Sequence, residues 1–332
     1  VVGAGFVLYT VAIADLEATG NILAGAGPTI ALAFLPYLFG MLAITGAWHI
    51  SLAHLGFPLA FAPLLRLRMA SEAILLSVPG GTVVAEAVKT WHLSRRLGVP
   101  LSETAASLAM SKAAIVTSNA VYVGLALFIA AGPLSRLGHQ FGDPFLPWVA
   151  GVALLVCLAL TGLISLAIVR NGSLVVGLAA FARRLPSARA RRFVERHAND
   201  IANANETFRR FRAPGGTAAI IIASVLSLLM WLTEAIETYL IFQLLGLPVS
   251  FSEAILVEAL GSTIRSAAFA LPAGIGIQDL GIVFILAALG KPEAASMALA
   301  FSITKRSKEV FWIVTGYLLF LDRRAPVLQP GS

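Results

Sequence analysis

Apolar positions in this chain come in long blocks, and polar positions fall mainly between them. Stretches such as Gly27 to Trp48, Phe145 to Val169 and Thr217 to Thr233 approach or exceed the roughly 18 apolar residues that suggest a membrane-spanning helix. The block order predicts spans at about 28–55, 102–131, 145–170, 215–245 and 293–320. Val1 to Ala14, apolar and without the basic start of a signal peptide, reads as the later part of one more span. Two further segments, about 62–97 and 251–290, each hold two shorter apolar pieces parted by Pro and Gly. Such pieces are marginal as spans. They suit a re-entrant hairpin, whose non-helical tip is tolerated only against protein or a water-filled cavity. The expected fold class is all-α: a polytopic integral membrane protein with about six full spans and two re-entrant helical hairpins. Counting each hairpin as two thin spans gives about ten crossings and leaves the other elements' sidedness unchanged. Hairpin length and the central Pro and Gly residues favour the re-entrant reading.

The two hairpin segments resemble one another. Val78-Pro79-Gly80-Gly81, with Glu86 seven residues after its proline, recurs as Leu271-Pro272-Ala273-Gly274, with Asp279 seven after its own. Each copy continues to a Leu-Gly-x-Pro turn, Leu97-Gly98-Val99-Pro100 and Leu289-Gly290-Lys291-Pro292, then to a long apolar segment carrying Lys112 or Lys305. The first prolines lie 193 residues apart and the second prolines 192. Twin short segments broken by Gly and Pro, in corresponding halves, point to a transporter-like binding site at the breaks. Pro79, Gly80, Gly81, Pro272, Gly274 and Gly276 are the candidate hairpin breaks.

Charge orients this pattern. Of the chain's residues 12% are charged and 58% hydrophobic, with mean hydropathy +0.87 and net charge +7, which excludes an ordinary soluble domain. Nine arginines against Glu195, Asp200 and Glu206 lie between Arg183 and Arg212. Beside membrane spans such a cluster marks a cytoplasmic connector rather than a nucleic-acid site, and its arginines also suit anionic headgroups. From that anchor the 16–27 segment is expected as an outside loop. The halves then become 1–182, with a cytoplasm-facing hairpin, and 213–332, with a hairpin facing the opposite way, joined by the basic connector 183–212. That is an inverted-topology repeat.

Charged residues inside membrane segments are functional candidates by default, since each costs about 2.5–3.5 kcal/mol at mid-helix on insertion scales. Lys305, Arg306, Lys308 and Glu309 fall in the middle of the last span. Three cations against one anion leave a positive excess. Asp279, Glu258 or Glu237 from neighbouring elements would neutralise it, and so would a phosphate or carboxylate of a ligand. Glu258 and Arg265, seven apart, share a helix face, and Glu86 is the repeat partner of Asp279. Arg265, Lys305, Arg306 and Lys308 are therefore candidate headgroup-binding residues, and Glu86, Glu237, Glu258, Asp279 and Glu309 candidate gating or charge-relay groups. A buried ion network joining the halves and a proton relay stay open beside that reading. Lys89 is expected to snorkel to the interface. His139 falls in an expected loop. Small residues Gly40, Ala43 and Ala47 are expected to pack on a helix of the same chain. Cys157 reads as a small hydrophobe. The sequence has no nucleophile elbow, phosphate loop, zinc spacing or dinucleotide fingerprint, so no enzyme, metal or cofactor is expected.

The run Leu271-Pro272-Ala273-Gly274-Ile275-Gly276-Ile277-Gln278-Asp279 resembles the Pro-x-Gly-x-Gly-x-x-Glu signature of the lysylphosphatidylglycerol synthase transmembrane-region, or flippase-like, family. The similarity continues through Leu289-Gly290 into Lys305-Arg306-Ser307-Lys308-Glu309. With Arg265-Ser266-Ala267-Ala268-Phe269 before the proline, it looks closest to the hopanoid-biosynthesis-associated branch. Ala273 stands where the family commonly has glycine, and Asp279 replaces its usual glutamate. What the resemblance implies is a transporter or flippase that moves a polar or anionic lipid, in that branch a hopanoid, between leaflets of the bacterial inner membrane. The large family members' soluble catalytic domain is not expected here, since Ser332 follows the last span within about a dozen residues. Membrane lipids, and lipid-biosynthesis enzymes, are the expected partners, and the sequence does not fix an oligomeric state. A non-transporting scaffold for lipid-biosynthesis enzymes, recruited through the basic connector, and a small-solute or ion transporter are the alternatives.

Overall fold

The computed structural model describes residues 9–78, 80–140, 142–143, 145–171, 206–267 and 276–321; for residues 168–171 and 265–267 it describes the backbone alone. Pro79, Pro272, Gly274, most of the basic connector and the Arg265 side chain, all singled out from sequence, lie outside what is described. The described residues are helical, without strands. The helices are α1 (Leu16–Ala26), α2 (Leu35–His54), α3 (Phe61–Ser77), α4 (Gly81–Arg96), α5 (Leu101–Ile129), α6 (Ala131–Gln140), α7 (Leu146–Asn171), α8 (Gly216–Leu244), α9 (Phe251–Ala267), α10 (Ile277–Ala288) and α11 (Ala294–Leu321). Four segments are long and apolar enough to cross a membrane: Leu16–His54, Leu101–Ile129, Leu146–Ala167 and Gly216–Leu244. α11 has the length, about 40 Å at 1.5 Å per residue, but carries its charges mid-helix.

Two expected loops are helices. The 16–27 segment forms α1, with Asp15 as its N-cap. Its carboxylate accepts from Glu17 and Ala18 N–H at 2.9 and 3.1 Å, satisfying donors otherwise orphaned at a helix start. A 3-10 stretch, Gly27–Phe34, then runs straight into α2. His139 lies in α6, which buries Leu134 and Leu137 on one side. The alternation of apolar and polar residues there is that of a short amphipathic helix.

The short pairs α3–α4 and α9–α10 pack within themselves as helical hairpins, and each is followed by a long helix, α5 or α11. At the first break Gly80 takes φ +66°. Gly81 is forced by closeness, since a Cβ there would lie 2.6 Å from the Ile74 and Leu75 carbonyl oxygens. Between the halves α2 lies along α8, α3 along α11, and α9 against α5. Close approach follows from missing side-chain atoms: a Cβ on Gly40 would sit 2.8 Å from Thr233 Oγ1 of α8, and one on Gly316 2.5 Å from the Met69 carbonyl oxygen of α3. The Gly40–Ala47 face thus packs within the chain, as small residues do between membrane helices. Ser77 Oγ and Tyr317 Oη, 2.7 Å apart, add a tie between α3 and α11.

The end of the connector is docked. Phe208 and Phe211 are buried, and the His54 ring stacks on Phe211 with centroids 5.3 Å apart. His54 Nε2 donates to the Arg210 carbonyl at 3.0 Å, and the Arg210 guanidinium lies 3.6 Å from Glu103. α7 is largely bare, exposing Val149, Val152, Val156, Leu160 and Leu163. This spacing makes one apolar helical stripe, as a lipid-facing surface requires.

Candidate functional site

α11 is the hub of a charged layer buried among helices of the second half. Lys305 Nζ donates to Glu258 Oε2 of α9 at 2.7 Å, and the same oxygen accepts from the Thr238 hydroxyl. Lys308 Nζ donates to Glu237 Oε1 of α8 at 2.6 Å and stands 4.4 Å above the Tyr37 ring of α2. Arg306 bridges two acids, with Nη1 2.7 Å from Glu309 Oε2 and Nη2 3.3 Å from Asp279 Oδ1. Asp279 also accepts the Gly276 N–H at 2.8 Å, closing the first turn of α10. Lys305, Lys308, Glu237 and Glu258 are almost wholly buried, whereas Arg306 retains 23% side-chain exposure. Periodicity explains the split. On α11 positions 305 and 308 turn toward α9 and α8, while 306 lies on the flank with 302 and 309.

The flank borders a cavity of about 670 Å³. Asp279, Arg306, Glu309, Ser302 and Ser307 give it a polar side, and Leu76, Leu299, Ile303, Val310 and Ile313 an apolar one. Both hairpins contribute: Leu76 stands just before the first break and Asp279 just after the second. The Ser302 hydroxyl is buried without a hydrogen-bond partner among the described residues. Gln278, also singled out from the sequence, is buried against Gly261, with its Oε1 likewise unpartnered among the described residues.

Of the residues predicted to bind a headgroup, Arg306 is on the cavity wall, while Lys305 and Lys308 are committed to carboxylates inside the protein. The positive excess expected around α11 is therefore met by Glu258, Glu237 and Asp279. The polar wall carries one guanidinium against two carboxylates.

The first half has a smaller counterpart. Glu86 of α4 accepts from Lys89 at 2.8 Å and lies 2.8 Å from Lys112 of α5. In each half, then, the acid after the break pairs with a cation on the next long helix: Glu86 with Lys112, Asp279 with Arg306. Lys89 does not snorkel. It is buried, 3% exposed, because Glu86 and the Trp48 ring, 5.6 Å from its Nζ, receive it inside the bundle. Sequence reasoning missed Tyr37 and the pairing of Glu253 with Arg136 and Lys291. Tyr37 sits in an apolar run with no spacing to flag it. The Glu253 cluster had a legible half, since Ser250 and Glu253 form the capping-box spacing.

A helical bundle with spans, paired hairpins and a charged layer inside it defines a multi-pass membrane protein. The chain belongs to the family described as lysylphosphatidylglycerol synthase TM region, whose model matches residues 1–305. It is 34% identical over 93 residues to a UPF0104 membrane protein of Methanothermobacter thermautotrophicus, an alignment covering 27% of this chain and 26% of that relative. The match thus spans about a quarter of the curated relative's length. No solved structure matches the chain.

Proposed function

We propose that the protein is a lipid transporter that moves a polar lipid between leaflets, with the cavity beside Arg306 receiving the headgroup. The observation that carries this reading is the cavity's divided wall. A charged set halfway along a membrane-length helix faces a lining of Leu, Ile and Val, so an amphiphile finds a polar and an apolar surface in one space. Membership of a family named for a lipid-synthesis enzyme's membrane region supports lipid handling. The pairing of α3 with α11 and α9 with α5 supports two inverted halves, with re-entrant hairpins opening alternately on either side. Arg306 against Asp279 and Glu309 suits a hydroxylated or zwitterionic headgroup better than a bare anion, and a polar hopanoid falls within that class. The membrane is the bacterial inner membrane, on the charge of the connector. The protein acts by binding and release, without chemistry on the lipid.

Leaflet exchange in proteoliposomes tests this, using a headgroup-labelled anionic phospholipid and a polar hopanoid. Asp279→Asn keeps an acceptor for the Gly276 N–H and removes the charge facing Arg306. The expected result is exchange above that of empty liposomes, reduced at least tenfold in this variant at unchanged folding. Exchange of neither lipid by folded protein, with a proton gradient supplied, moves the reading to a small-solute transporter or a scaffold.

A further inference from the structure

A second cavity, on the opposite flank from the charged layer, has different chemistry. It encloses about 470 Å³ between α5, α6, α7 and α9, with walls such as Val123, Leu134, Ala150, Leu154, Leu256 and Leu260. The one hydroxyl on that wall, Thr263, is turned back to the Ala259 carbonyl at 2.8 Å. Side chains fill protein interiors to crystal-like density and leave few voids larger than a water molecule, so a space this large and this apolar is a ligand's volume. It adjoins the bare stripe of α7: Val149 and Val152 are exposed beside the lining residues Ala150 and Gly151.

Two of the helices that wall this cavity, α6 and α9, also carry a charged cluster outside its lining. Glu253, on the first turn of α9, is 3% exposed and takes Arg136 Nη2 at 3.0 Å and Lys291 Nζ at 2.8 Å, besides the N–H and hydroxyl of Ser250 at 2.8 and 2.9 Å. Two cations thus meet one carboxylate whose acceptor sites are filled. Arg136 keeps 58% of its side chain exposed, on α6 between the lining residues Leu134 and Leu137. An apolar slot whose walling helices α6 and α9 also bear surplus positive charge matches a lipid phosphodiester and its acyl chain. We infer that this flank holds a resident membrane phospholipid, one acyl chain in the α5–α6–α7–α9 cavity and its phosphate on Arg136. This site is separate from the transport cavity, so the inference stands or falls independently of leaflet exchange.

The test is native mass spectrometry of the delipidated full chain titrated with phosphatidylglycerol or with diacylglycerol, which lacks the phosphate. Wild-type protein is expected to retain one phosphatidylglycerol more tightly than diacylglycerol. Arg136→Ala is expected to weaken phosphatidylglycerol about tenfold, the scale of one charge-assisted hydrogen bond, and to leave diacylglycerol unchanged. Ala150→Phe, at an exposed lining position, is expected to abolish retention of both; Leu260→Phe repeats the block from the α9 wall if the first variant misfolds. Retention of lipid by the filled variants, equal phosphatidylglycerol affinity in Arg136→Ala, or a lipid-free dimer closing this flank would each overturn the proposal.

Discussion

Lys308 shows how much a single buried charge depends on its partner. Its ammonium and the Glu237 carboxylate are both out of solvent, and removing one partner of such a pair strands the other at a cost of about 3–5 kcal/mol. Lys308→Met is therefore expected to lower unfolding free energy in detergent by that amount. Lys308→Met combined with Glu237→Leu is expected to recover most of the loss, because an apolar pair replaces a buried ion pair at little cost. Additive losses in a double-mutant cycle would mean that the two groups are not coupled. Arg306 presents the contrasting case. Its planar fork spans Glu309 and Asp279, a geometry that one ammonium does not reproduce. Arg306→Lys is expected to fold normally yet lose most leaflet exchange; transport at the wild-type rate would separate Arg306 from the mechanism.

At the scale of elements, the hairpins rest on backbone geometry more than on side chains. Gly81 admits no Cβ without displacing the last turn of α3, while a Cβ on Gly80 meets open space and only the cost of φ +66°. Gly80→Ala is expected to cost about 1–2 kcal/mol, and Gly81→Ala clearly more, as read by thermal unfolding in detergent. The hairpins were legible in sequence because Pro and Gly interrupt apolar runs at one spacing, and the turns after them share a left-handed glycine, Gly98 at φ +69° and Gly290 at φ +71°. α1 and α6 were not. Both begin beside residues that favour loops, and whether such a residue ends a structure or caps one depends on the hydrogen bonds it makes.

For the whole molecule, the proposed inversion of the two halves makes a prediction about sidedness. After Cys157, which is exposed, is replaced by Ser, single cysteines at the exposed positions Ala60 and Arg96 are expected to react with an impermeant maleimide from one face of the membrane. Cysteines at Ser250 and Lys291 are expected to react from the other. Labelling of all four from one face would contradict inversion. In the ten-crossing alternative these ends behave alike, and a cysteine at Gly80 distinguishes the two: across the membrane it reacts from the far side, whereas a re-entrant tip does not.

The chain's own pattern determined that it is a helical membrane protein, where most of its long helices lie, and that its charges concentrate on α11. These follow from local rules: apolar length, helical period, and the cost of charge in hydrocarbon. Which carboxylate neutralises which cation was decided only by tertiary structure. Lys305, Arg306 and Lys308 are near neighbours in sequence, but a turn of 100° per residue sends them toward α9, α10 and α8. The close contacts at Gly40 (α2 on α8) and Gly316 (α11 on α3) join elements far apart in sequence, and of the three cations Arg306 alone is on the cavity wall.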